Sequence, residues 1–124
     1  MKRIIYTLLA TAILLSCQKA DDNGELGGFW KLLQIEQTDD GSIIDTRDES
    51  RFWAVQLDLI QIDKSNGRFQ HVGDSLYVQM IEIPDDAKMF GLYNPEDERF
   101  MVVELRERKM ILRSRHAVLR FRKF

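Results

Sequence analysis

Few side chains in this sequence could do covalent chemistry, and the most reactive is a sulfur: Cys17 is the only cysteine among 124 residues. A thiol can act as a nucleophile, ligate a metal, or sit buried and inert. The first two uses need partners, yet His71 and His116, the only histidines, lie at no spacing that suggests a metal site or a base poised beside a nucleophile. The acidic groups Asp39-Asp40, Asp85-Asp86 and Glu96-Asp97-Glu98 fall among turn-forming residues, where solvated loop charge is the ordinary role. None has the alternating oxygen ligands about a glycine that a calcium loop requires. No Gly-rich phosphate cradle and no nucleophile elbow occurs. The sequence therefore predicts no catalytic residue, no metal and no cofactor, and the chain is expected not to be an enzyme.

The surroundings of Cys17 suggest a different use for its sulfur. Lys2 and Arg3 form a positive start, followed by the apolar run Ile4 to Leu15. That run is well short of the roughly 20 residues a spanning helix needs and has the form of an export-signal core. Leu14-Leu15-Ser16-Cys17 resembles the lipobox of bacterial lipoproteins. The resemblance implies that residues 1–16 are a cleaved signal peptide and that Cys17 becomes an N-terminus carrying three acyl chains. Each buried methylene contributes about 0.8 kcal/mol, so one chain holds a protein marginally and several hold it firmly. No acidic residue directly follows the cysteine in Gln18-Lys19-Ala20-Asp21-Asp22, which by the same resemblance implies the outer membrane. This stretch is also similar to a surface-export signal of Bacteroidetes lipoproteins; read by its residues alone it is a solvated linker, and both readings stand.

Without residues 1–16 the chain keeps 108 of its 124 residues, enough for one domain with one core. Losing Lys2 and Arg3 leaves 16 of 18 basic side chains against 20 acidic ones, a net charge of −4 that gives no support to nucleic-acid binding. A single cysteine allows no intramolecular disulfide, and a monomer is expected. Residues 17–27 read as a flexible polar tether, spanning about 17 Å if some ten residues follow linker scaling.

From Gly28 to Phe124 the chain reads as short apolar segments with polar punctuation, and no stretch shows a sustained helical period. Phe29 to Glu36 forms a first strand, ended by a turn at Thr38 to Ser42, and Ile43-Ile44 begins a brief second one. Beyond the charged patch Arg47 to Arg51, the alternation of Trp53, Val55, Leu57 and Leu59 predicts a half-buried strand. Asn66-Gly67 within Asp63 to Gly67 signals a hairpin turn. Strands Arg68 to Val72 and Ser75 to Ile83 follow, then an apolar knot, Met89 to Tyr93, that reads as a short strand or a flap. Met101, Val103 and Leu105 share a strand face, Arg106 to Lys109 turn the chain to Met110-Ile111-Leu112, and Leu119 and Phe121 alternate with Arg120 and Arg122. Seven or eight short strands with tight turns must protect their edges by closing, which predicts an all-β fold, a small antiparallel up-and-down eight-stranded barrel with at most a shallow cavity.

Gly28-Phe29-Trp30 resembles the Gly-x-Trp motif that opens lipocalin barrels. Leu119-Arg120-Phe121-Arg122 is similar to the last strand that lays an arginine across that tryptophan, so Trp30, Arg120 and Arg122 are expected to form a barrel-closing latch. With Met110 to Ser114, the chain resembles the small lipocalin-like lipoproteins of Bacteroidetes, a family largely of unknown function. The resemblance implies a membrane-tethered barrel that binds a small apolar or amphipathic ligand, for which Trp53, Tyr77, Phe90 and Tyr93 are the candidate lining residues. The alternative is a protein-interaction, inhibitor or structural role in the envelope: a solid barrel with no ligand pocket, whose loops bind a partner or inhibit a secreted enzyme. The interior decides between them, and Trp30, Trp53, Leu57, Met80, Met101, Leu105 and Phe121 are the side chains expected to fill or frame it.

Overall fold

The computed structural model describes residues 24–124; the expected signal peptide at 1–16, Cys17 and the first part of the expected tether lie outside the described residues. Nine strands follow one another: β1 (Gly28–Gln37), β2 (Ile43–Asp45), β3 (Phe52–Gln56), β4 (Leu59–Ile62), β5 (Ser65–Val72), β6 (Ser75–Met80), β7 (Glu98–Arg106), β8 (Lys109–Arg113) and β9 (Ala117–Lys123). Every pairing is antiparallel, and β1 pairs with β9, so the sheet closes on itself. The short β2 and β3 lie along the same edge of β1, opposite its C-terminal and N-terminal halves respectively. They act as one interrupted strand, so the closed body is the expected eight-stranded up-and-down barrel with one additional strand segment. Between them Thr46 to Arg51 loops outward. It is pinned where the buried Thr46 hydroxyl donates to the Leu32 carbonyl at 2.6 Å and where the Leu32 N–H donates to the Arg51 carbonyl at 2.8 Å.

Alternation along the strands sends one set of side chains inward. Trp30, Leu32, Ile35, Trp53, Val55, Ile60, Ile62, Leu76, Val78, Met80, Phe100, Met110, Leu112, Leu119 and Phe121 are all buried. Two parity changes defeat a simple sequence reading. The turn at Leu57, with φ at 55°, switches the inward set from Trp53 and Val55 to Ile60 and Ile62, leaving Leu57 and Leu59 exposed. In β7 the inward residues are Phe100 and Val102, so Met101 and Val103 face solvent; the bulge between Val102 and Glu104 then turns Leu105 back toward the core. Leu57 and Met101 are thus outside the core, against expectation.

The Asn66-Gly67 signal is likewise displaced. The β4–β5 turn is at Asp63-Lys64, with Asp63 at φ 58°, and Gly67 lies within β5 opposite Met80. A Cβ at Gly67 would come within 2.7 Å of the Met80 sulfur and 2.8 Å of the Gln79 carbonyl oxygen, so this glycine serves close approach and not turning. Strand β6 ends at Met80, three residues earlier than Ile83. The knot at 89–93 is neither strand nor open flap: Ala87–Phe90 is a 3-10 turn capped by Gly91 at φ 90°, and Phe90 and Leu92 are buried in the core.

Candidate functional site

At the end where β1 begins, a 3-10 turn at Gly24–Leu26 folds over the barrel, with Leu26 buried and its carbonyl accepting the Trp30 indole N–H at 2.7 Å. The cation across Trp30 is Lys123, its Nζ 5.3 Å from the ring centroid and donating to the Glu25 carbonyl at 3.1 Å. The expected latch therefore needs correcting. Arg122 is one residue out of phase, paired with Lys31 on the outer face, and Arg120 is ion-paired to Glu36 at 3.4 Å. Because inward positions on β9 are odd-numbered, the even-numbered arginines point away from Trp30. Gly28, at φ 126°, leaves room for the lysine stem, since a Cβ there would stand 2.7 Å from Lys123 Cε.

The segment 81–97 covers the opposite end. It is anchored by the Trp53 indole N–H donating to the Phe90 carbonyl at 3.0 Å and by the Met80 N–H donating to the Pro95 carbonyl at 2.8 Å. The buried Glu98 carboxylate accepts from the Tyr93 and Asn94 N–H groups at 2.7 and 3.1 Å. Tyr93 stacks on His116 with centroids 5.1 Å apart, and the Arg51 guanidinium lies 4.9 Å from the Phe90 ring centroid.

Between the two covers the lumen is packed. Trp53 meets Phe121 and Phe100 edge-on, with centroids 4.9 and 5.7 Å apart. Trp30, Leu32, Trp53, Ile62, Val78, Leu92, Phe100, Leu112 and Leu119 are 0% exposed. A void wide enough for water would leave contact area on the side chains around it, and these have none. The four candidate ligand residues divide accordingly. Trp53 and Phe90 join within the core and Tyr93 stands beside them at the plugged end, whereas Tyr77 lies on the outer face of β6 under Arg99, which is 5.7 Å away.

Open space lies outside instead. A groove of about 760 Å³ crosses the outer faces of β1, β9, β8 and β7, floored by Leu33 and Ile111 and edged by Arg106, Arg108, Lys109, Arg120 and Arg122 together with Glu104 and Glu107. Two β-bulges help to shape it, one at Leu32/Gln34 in β1 and one at Val102/Glu104 in β7; bulges bend a strand and re-aim its side chains. Sequence reasoning missed this site because its cations come from three strands and only register brings them together. Among the described residues no cluster of three or more His, Cys, Asp or Glu could hold a metal.

The architecture has solved counterparts. A lipocalin-like protein from Bacteroides uniformis superposes with a TM-score of 0.69 at 18% identity, covering 82% of this chain and 100% of its own. An uncharacterized protein from Bacteroides eggerthii superposes at 0.62 with 19% identity, covering 79% and 98%. No curated protein matches. The family model of the lipocalin-like domain matches residues 12–124, spanning the strands, the Gly-x-Trp start and the Lys123 latch, and the chain thus belongs to the lipocalin-like domain family.

Proposed function

We propose that this chain is a non-catalytic lipoprotein of the outer membrane, anchored by acylated Cys17 and displayed at the cell surface, whose solid barrel recognises an envelope partner through its loops. The observation that carries the reading is the filled lumen: both ends are covered and the central side chains retain no accessible area. A lipocalin fold does not impose a ligand, since function resides in sites placed on a fold. Here the family's usual site is occupied by the protein's own Trp53, Phe90 and Leu92.

A second reading, capture of a small apolar ligand in the lumen, is supported by the meeting of Trp53, Phe90 and Tyr93 at one end, where a ligand could enter only by displacing the segment 81–97. Native mass spectrometry of the detergent-extracted full-length protein separates the two. A covalent lipid mass that survives denaturation, with no other adduct, is the expected result. A small molecule that co-purifies and is lost on denaturation would overturn the solid-barrel reading.

A further inference from the structure

Strand pairing lines up cations on the outer face, at the end where the chain enters the barrel. Lys31 of β1 stands opposite Arg122 of β9, Arg122 opposite Lys109 of β8, and Lys109 opposite Arg106 of β7. Directly opposed residues in an antiparallel pair point to the same face, so four adjacent strands carry one transverse row of four positive charges. Arg108, in the β7–β8 turn, adds a fifth and donates to the Lys123 carbonyl at 3.1 and 3.2 Å. Counter-charge is sparse. Glu104 is shared between Arg106 at 3.1 Å and Lys109 at 3.5 Å, Glu107 is exposed in the turn, and Lys31 and Arg122 have no ion pair among the described residues.

Like charges in direct opposition destabilise a sheet, and the mature chain is acidic overall, so neither stability nor composition accounts for the row. It borders the outer groove. Beside it two aromatic rings are exposed, Phe29 at 61% and Phe124 at 68%; the Phe124 N–H donates to the Phe29 carbonyl at 3.1 Å, and the Phe124 ring lies 5.0 Å from that of Phe52. The loops of the opposite end carry Asp39, Asp40, Asp63, Asp85, Asp86 and Glu96. The other turns of the entry end carry Asp58 and Asp74, and the opposite end also carries Lys64, Lys88 and Arg115, so the positive charge is local to the row on β1, β9, β8 and β7.

The path of the chain identifies what this row meets. Gly24–Leu26 is fastened there by buried Leu26 and by Lys123. Seven residues lead back from Gly24 to Cys17, and seven residues span at most about 25 Å. Strand β1 alone, with ten residues, runs about 34 Å. An anchor at Cys17 thus holds the entry end, with its cation row, within about 25 Å of the bilayer.

We propose that this end docks on an anionic membrane surface, the row of Lys31, Arg122, Lys109 and Arg106 meeting lipid phosphates while Phe29 and Phe124 enter the headgroup layer. The orientation rests on the anchor proposed at Cys17; the contact itself does not. The barrel is then held in one attitude, presenting the loops of its plugged end outward to the partner.

The test uses the lipidated protein in vesicles, with a polarity-sensitive dye on Phe124→Cys, or on Asp85→Cys at the far end. The expected result is a blue shift at position 124 on vesicles containing phosphatidylglycerol in low salt. It should be lost at high salt, where screening is strong, and absent on phosphatidylcholine; position 85 should stay silent throughout. Replacing Lys31, Lys109 and Arg122 together by Gln should abolish the shift, and each single replacement should weaken docking about fivefold. The triple variant should melt no lower than the parent, because it relieves repulsion. A shift independent of lipid charge or salt, a response at position 85, or dye self-quenching that reports a second copy on this face would each overturn the proposal. If mass spectrometry finds no lipid on Cys17, the anchor reading fails, and co-sedimentation of the unanchored chain with the same vesicles still reads the contact.

Discussion

At the scale of single residues, closure of the barrel depends on a small cluster. Trp30 places its indole under the entering chain, Lys123 lies across it, and Gly28 makes room for the lysine stem. A cation over an indole contributes about 0.5 to 2 kcal/mol. Lys123→Gln should therefore lower stability by about 1 kcal/mol in urea unfolding, while Arg120→Gln and Arg122→Gln leave Trp30 undisturbed. Gly91 is a second tight point. It holds φ at 90°, and a Cβ there would come within 2.5 Å of Leu119 Cδ1. Gly91→Ala combines backbone strain with overpacking and should cost about 1 to 3 kcal/mol by the same measurement.

Among the elements, the segment 81–97 is the one that distinguishes a solid barrel from a cup. It contributes Phe90 and Leu92 to the core and is held through main-chain contacts to Trp53 and Met80. Leu92→Ala should destabilise by about 2 to 5 kcal/mol, and the space it opens should give the barrel measurable affinity for a small apolar dye. The same segment carries a pH response. Burial, reinforced by the nearby Asp39 carboxylate, pushes the Tyr93 phenol above its ordinary value of 10.0, against a hydrogen bond with Gln37 that lowers it. The folded state thus holds this proton more tightly than the unfolded chain. Its stabilising effect is complete below about pH 10 and is lost as pH rises through the folded value. Ultraviolet titration should show a late-ionising tyrosine that vanishes in Tyr93→Phe, together with part of the alkaline loss of stability.

For the molecule as a whole, closure removes the sheet's edges. Strand β9 seals it by pairing with both β1 and β8. A chain ending at His116 would expose two long edges, which invite pairing between molecules. It should elute from size-exclusion chromatography as aggregate, well ahead of the intact chain. The charge distribution belongs to this scale too. Its cation row lies at the end where the chain enters, an arrangement created by the pairing of β1, β9, β8 and β7.

Much of the architecture was legible in local pattern. Period-2 alternation at Leu119 and Phe121, turn residues at Thr38 to Ser42, the break at Gly73-Asp74 and the Gly-x-Trp start led to a closed antiparallel barrel, because these signals act through neighbouring residues. The lipid attachment proposed at Cys17 likewise rests on adjacent residues alone. What sequence could not settle is what register decides: a turn at Leu57 and a bulge after Val102 each reversed which residues face inward, moving Leu57 and Met101 outside. Side chains on a strand alternate with a period of 2, so one extra residue inverts every later assignment. Strand pairing likewise juxtaposed Lys31, Arg106, Lys109 and Arg122, residues up to 91 positions apart in the chain, and tertiary packing put Phe90 and Leu92 where a ligand would otherwise sit.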